Sequence, residues 1–320
     1  MFNKDSVKRS MRAAALVAGV AAMALVALPT ASQAAQRHKT KAPTEYYVSV
    51  GDSYSVGYQP SPTAGATPGY TAYVAKAEKL TLENFGCGGA TTTSILSYTG
   101  VCSATPTTGE YGPPAATDLG PVIKGNTQVQ NAVAFIAANK GHIGLITVSI
   151  SGNDLTPCAT SSNPIGCVAG VVGSIKTNVI TLAKDLLSAA GSGVPLIGIT
   201  YPDVFLGEWV FPPTNQSLAT ESQTAFEDDI NPALSTAYTS AGGAFVNVTE
   251  ATGGYGSLTK LTTLKPYGKI PVPVADVCKI TWFCSLGNIH ANTAGYTEIG
   301  KLIAAEYKTL HASAARRSER

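Results

Sequence analysis

The most constraining feature of this 320-residue chain is an alternation: short β-branched apolar runs and longer helix-patterned segments follow one another five times. Residues 46–50 (YYVSV), 81–85, 143–149 (IGLITVS), 194–200 (VPLIGIT) and 245–248 read as strands. Residues 70–80, 126–139, 171–190, 217–241 and 293–310 read as helices. In 126–139 the apolar positions 129, 132, 133, 135 and 136 fall on one helical face. Strand–helix repeats of this kind bury a parallel sheet between helices, an α/β architecture with both faces covered. The Gly-, Pro- and Thr-rich stretches 98–122 and 250–284 read as long loops.

The first 34 residues stand outside this pattern. Lys4, Lys8, Arg9 and Arg12 precede an uncharged run from Ala13 to Leu28, and Ser32-Gln33-Ala34 offers small residues for cleavage. That run of about sixteen residues is shorter than the ~20 needed to span a bilayer. The expectation is a secreted protein with a signal peptide over 1–34, a tail over 35–43, one domain over 44–311 and a basic tail over 312–320. No later run reads as long and apolar enough to anchor the chain in a membrane. The formal charge of +2 comes from 22 basic and 20 acidic residues, and removing 1–34 leaves 18 against 19. Nucleic-acid binders carry a strong basic stripe, so none is expected as a partner. With 13% charged and 44% hydrophobic residues, the chain is not a disordered polyelectrolyte either. A monomer is expected.

Six cysteines fit export. Cys87 and Cys102, Cys158 and Cys167, and Cys278 and Cys284 form close couples separated by 15, 9 and 6 residues. Six cysteines allow fifteen pairings, and sequential pairing would close three small loops. No C-x₂-C pair exists and only four His are present, so neither a metal nor a cofactor is expected.

In open α/β sheets the site lies beyond the carboxyl ends of the strands, and polar clusters sit there. Gly51-Asp52-Ser53-Tyr54-Ser55 follows the first strand, where a serine can present both hydroxyl and N–H, or merely cap a helix. Asn84-Phe85-Gly86-Cys87-Gly88-Gly89-Ala90-Thr91 follows the second, with glycines that allow close backbone approach. Ser151-Gly152-Asn153-Asp154 follows the third and carries a neutral amide donor. Asn288-Ile289-His290-Ala291-Asn292 precedes the last helix. His38 and His311 fall in the tails and His142 in a turn, so any serine–histidine pair uses His290. The G-x-S-x-G nucleophile elbow is absent, as are G-x-G-x-x-G after the first strand and a P-loop.

Gly51-Asp52-Ser53-Tyr54-Ser55, Gly89, Gly152-Asn153-Asp154 and His290 resemble the four sequence blocks of the SGNH hydrolases, or GDSL lipases/esterases, over about 44–311. The cysteine couples are similar to those of its secreted actinobacterial branch, which implies Cys87–Cys102, Cys158–Cys167 and Cys278–Cys284 disulfides. The resemblance implies a three-layer α/β/α sandwich with a flavodoxin-like, five-stranded parallel sheet. It implies Ser53 as nucleophile and His290 as base. The Ser53 N–H, the Gly89 N–H and the Asn153 amide would form the oxyanion hole. One position departs from the family pattern: the Asp three residues before the histidine is Gly287 here. Some members similar in lacking that Asp use a backbone carbonyl, which makes the Gly287 carbonyl the candidate acceptor and Asp276 a more distant one. The implied activity is ester hydrolysis by a lipase, esterase or phospholipase A, with an ester or lipid as substrate. Rival readings are a short-chain or carbohydrate acetylesterase, and a lipid- or glycan-binding protein that has lost turnover. A flavodoxin-like cofactor protein fits less well.

Overall fold

The computed structural model describes residues 44–60, 65–66, 68–99 and 117–318. The expected signal peptide, the tail to 43 and Cys102 lie outside the described residues. Five strands, β1 (Tyr46–Gly51), β2 (Thr81–Asn84), β3 (Ile143–Ser149), β4 (Leu196–Ile199) and β5 (Ala244–Val246), form one sheet in the order β2-β1-β3-β4-β5. Every pairing is parallel, which is the doubly wound, flavodoxin-like order.

Alternation along the strands sorts side chains to two faces. Val48, Val50, Ile146, Val148 and Leu196 join one core with residues of α2 (Gln128–Ala138), α3 (Pro164–Ala190) and α5 (Asn231–Ser240). Tyr47, Leu145, Ile197 and Ile199 join the other, against α1 (Tyr70–Glu78) and α7 (Thr293–Ser318). The molecule is therefore a three-layer α/β/α sandwich. A smaller third cluster combines Leu206 and Ile270 with Val274, Ala275 and Val277 of α6 (Val272–Ile280).

Several elements differ from the sequence reading. Helix α3 begins at Pro164, seven residues before the expected start, because Asn163 accepts from the Gly166 N–H as a cap and Pro164 occupies the first turn. Its glycines, threonines and lysines disguise a 27-residue helix that holds an 18-residue window of mean hydropathy 1.5, long and apolar enough to span a membrane by length and composition. Its Val168, Ile175, Val179, Leu182 and Leu186 form a stripe buried on the sheet. The expected single helix over 217–241 is three elements: α4 (Gln216–Thr224), a π-helical turn at Ala225–Ile230, and α5. Pro232 in the first turn of α5 has no N–H to donate, and the bonding pattern widens upstream of it. The stretch 250–284, expected as loop, contains a hairpin (Leu261–Leu264 with Gly268–Pro271) and α6. Helix α7 runs on to Ser318, so residues 312–318 are helical rather than a tail.

Helix α5 seats against the sheet at one special position. The Tyr238 ring lies flat over Gly198 of β4, where any Cβ would overlap its carbons. Overpacking of this kind costs ~1–3 kcal/mol. Gly198→Ala is expected to lower stability by that amount, read from the midpoint of urea unfolding.

Candidate active site

The site is built where β1 and β3 end. Gly51 has φ 155°, and a Cβ there would overlap the Ser149 carbonyl oxygen. Only glycine passes β3 this closely, and it delivers Asp52, whose N–H donates to that same carbonyl at 3.0 Å. Asp52 then caps the one-turn helix Ser53–Val56, its Oδ1 accepting from the Tyr54 N–H at 3.0 Å.

Ser53 Oγ lies 2.7 Å from His290 Nε2. On the other side of the ring, His290 Nδ1 lies 2.7 Å from Asn288 Oδ1. The same Oδ1 accepts the backbone N–H of His290 at 3.1 Å. A backbone N–H can only donate, so it fixes the amide oxygen, not the nitrogen, toward the imidazole. Nδ1 then carries the proton, and the Nε2 lone pair faces the serine hydroxyl. The orienting acceptor is thus the Asn288 side chain rather than the expected Gly287 carbonyl. Gly287 instead ends the short helix Phe283–Leu286 in the left-handed region, φ 63°. Asp276 pairs with Lys279 at 2.9 Å on the exposed face of α6 and takes no part.

Asn153 sits in the helical turn Gly152–Leu155 after β3, and its Nδ2 donates to the Ala90 carbonyl at 2.8 Å. Asp154 grips the neighbouring loop: it accepts from the Thr92 N–H at 2.9 Å and from the Thr92 hydroxyl at 2.7 Å. Gly89, φ 83°, precedes Ala90 in that loop. The loop lies against the Ser53 turn, because the Cys87 N–H donates to the Gly51 carbonyl at 2.9 Å. Ser53 and Asn153 line one cleft; Gly89 is not among its walls. Of the expected disulfides, Cys158–Cys167 and Cys278–Cys284 are present, the first beside the Asn153 turn and the second before His290. The Cys87–Cys102 pairing involves a residue outside those described.

Three residues of this frame carry no expectation from sequence. Tyr201, just past β4, donates its hydroxyl to Asp52 Oδ2 at 2.6 Å. It also accepts from the Gly152 N–H at 3.3 Å. Gln128, the first residue of α2, donates to the Gly51 and Phe85 carbonyls and ties the ends of β1 and β2. Asn288 stands inside a quoted block, and its Asn-x-His spacing is the one available sign of an Asx turn. Ser151 completes the frame: buried and not glycine, it holds φ 121°, a strained conformation that costs ~1–3 kcal/mol and clusters at functional sites.

The cleft has an empty volume of about 790 Å³, open mouth included. Its walls are mostly apolar: Leu155, Ile165, Val168, Val204, Phe205, Phe226 and Ile230 among them. Phe226 and Ile230 both come from the π-helical turn, so the widened helix shapes this wall.

Burial governs the charges. It pushes the Asp52 carboxyl up to about 7, against the Tyr201 and Tyr54 hydrogen bonds that pull it down. Burial alone lowers His290 to about 4. The imidazole is therefore neutral over the ordinary pH range and can accept a proton from Ser53. In chemical terms the arrangement is a serine–histidine dyad with a neutral orienting amide, opening on an apolar cleft.

No protein-family model matches the chain, and no curated protein matches it. Several solved structures are similar to it. The crystal structure of an extracellular lipase from Streptomyces rimosus is 15% identical, with a TM-score of 0.46 over 82% of this chain and 99% of that one. A lipase from a goat rumen metagenome is 14% identical, with a TM-score of 0.49 over 82% and 97%. Phospholipase A1 from Streptomyces albidoflavus NA297 is 17% identical, with a TM-score of 0.42 over 73% and 94%.

The histidine environment makes a direct prediction. The His290 imidazole resonances should titrate with a midpoint near 4 in an NMR pH series. Asn288→Asp places a negative charge against Nδ1, favours the imidazolium and raises the midpoint by roughly one unit or more. An unmoved midpoint would show that Asn288 does not face the ring.

Proposed function

We propose that this chain is a secreted serine carboxylic-ester hydrolase that works through an acyl-enzyme on Ser53. The observation that carries the reading is the 2.7 Å approach of Ser53 Oγ to His290 Nε2 at the carboxyl rim of a parallel sheet. The apolar cleft beside Ser53 supports an acyl chain as the group bound there. The signal-like pattern of residues 1–34 and the two disulfides support export to an oxidising compartment.

The reaction follows from the proton positions. His290 Nε2 takes the Ser53 proton as Oγ attacks the ester carbonyl, and the carbonyl oxygen becomes an oxyanion. The donors for that oxyanion are the Ser53 N–H and the second N–H of the Asn153 amide, whose first is held by Ala90, and the resemblance adds the Gly89 N–H from the neighbouring loop. The imidazolium then protonates the leaving alcohol as the ester C–O bond breaks. Water enters, gives its proton to His290 and attacks the acyl-enzyme. Collapse of the second tetrahedral intermediate returns the proton to Ser53 and releases the acid. Asn288 orients the imidazole but supplies no charge, so the countercharge for the imidazolium is the oxyanion itself.

Labelling with a fluorophosphonate tests the reading directly. One equivalent should attach to Ser53, and Ser53→Ala should abolish it. A folded wild-type protein that takes up no label is a binder rather than an enzyme. One oxyanion donor contributes ~2.7–4 kcal/mol to transition-state stabilisation. Asn153→Ala should therefore lower kcat by ~100-fold or more with the fold intact. Across a series of p-nitrophenyl esters, activity should persist as the acyl chain lengthens. Loss of activity beyond acetate would assign the chain to acetylesterases instead.

A further inference from the structure

The Ser53 turn and the Asn153 turn belong to different strands, yet any oxyanion hole needs them at one fixed separation. Tyr201 stands between them. Its hydroxyl donates to Asp52 Oδ2, and Asp52 Oδ1 caps the Ser53 turn through the Tyr54 N–H. With its proton committed to Asp52, the hydroxyl turns a lone pair to the Gly152 N–H. That N–H opens a helical turn and has no partner within it.

The ring adds a packing constraint. A Cβ on Gly152 would stand 3.3 Å from Tyr201 Cζ, so the ring already lies against this backbone. Tyr201 is itself anchored: its carbonyl accepts from the Thr249 hydroxyl at 2.7 Å, and its ring meets Tyr54 edge-on at 4.8 Å. On the far side, Ala90 and Thr92 hold Asn153 and Asp154. The turn is thus clamped from two sides around the strained Ser151. Without the Tyr201 hydroxyl, the nucleophile-side clamp is gone and Ser151 is free to relax.

We propose that Tyr201 is a positioning residue for ester hydrolysis: through its bridge from Asp52 to the Gly152 N–H, it holds the Asn153 amide in register with Ser53. This rests on the hydrolase reading above. Tyr201 touches no reacting atom in this scheme, and its effect is exerted through Asn153.

The test is a double-mutant cycle on the full chain with p-nitrophenyl butyrate, a soluble ester, with melting curves for each variant. Tyr201→Phe should lower kcat about tenfold or more with KM within about twofold. In the Asn153→Ala background the same substitution should cost less than about twofold, because the group it positions is already gone. Equal losses in both backgrounds overturn the proposal. A raised KM at unchanged kcat also overturns it and leaves Tyr201 as a cleft wall only. If Tyr201→Phe does not fold, Asp52→Asn tests the bridge from its other end, and additive losses with Asn153→Ala again overturn it. Wild-type turnover and fluorophosphonate labelling of Ser53 are measured alongside. Absence of both overturns the hydrolase reading and this inference with it. An active wild type with additive losses overturns only the role of Tyr201.

Discussion

The pairing of Gly51 with Ser149 is the contact on which the site depends. These two residues are the last register partners of the central strands β1 and β3. Both strands therefore leave the sheet at the same level. The residues two positions on, Ser53 and Ser151, begin neighbouring turns. The Asp52 N–H closes the pairing on the Ser149 carbonyl, and Gly51 makes room for it by having no side chain. A slip of one residue in this register would turn the side chains of a strand to the opposite face. Because both faces are buried in separate cores, that slip is strongly disfavoured, and the accuracy of the site is inherited from the packing of the sheet.

Around this pairing the polar groups are managed by burial and hydrogen bonding rather than by charge pairs. The three ion pairs among the described residues all involve an exposed lysine, and pairs of that kind contribute little to stability. Inside, Asp52 is satisfied by a phenol and a backbone N–H, Asp154 by Thr92, and His290 by a hydroxyl and an amide oxygen. This agrees with a chain in which only 13% of residues are charged. Neutral partners let buried titrating groups be held without a compensating charge, at the cost of weaker support for any ion formed transiently there.

The sheet was legible in the sequence because its strands are short, β-branched and separated by helices of clear period. Ser53 was legible from its place after the first strand and His290 by elimination, and the two do meet. The errors have physical causes. Gly287 is the candidate acceptor that the resemblance implies, because family members lacking the Asp use a backbone carbonyl. Asn288 prevails because its side chain folds back onto the His290 N–H, a local preference of Asn that strand-and-helix periodicity does not register. Residues 250–284 look like loop because Gly and Pro are frequent there. Yet Pro271 and Pro273 flank the start of α6, where a missing N–H costs nothing. Tyr201 carried no sequence sign because its partners, Asp52 and Gly152, lie 149 and 49 residues away.

The imidazole of His290 shows what this packing achieves. Besides its two hydrogen bonds, the ring is flanked by Tyr54, stacked at 5.8 Å, and Tyr58, tilted at 4.5 Å. Tyr54 is in turn anchored to the Ile289 carbonyl, next door to the histidine, at 2.7 Å. A ring so enclosed has no room to swivel and one tautomer to adopt. The entropy of fixing it is lost a single time, when the chain folds, and need not be lost again each time a proton moves.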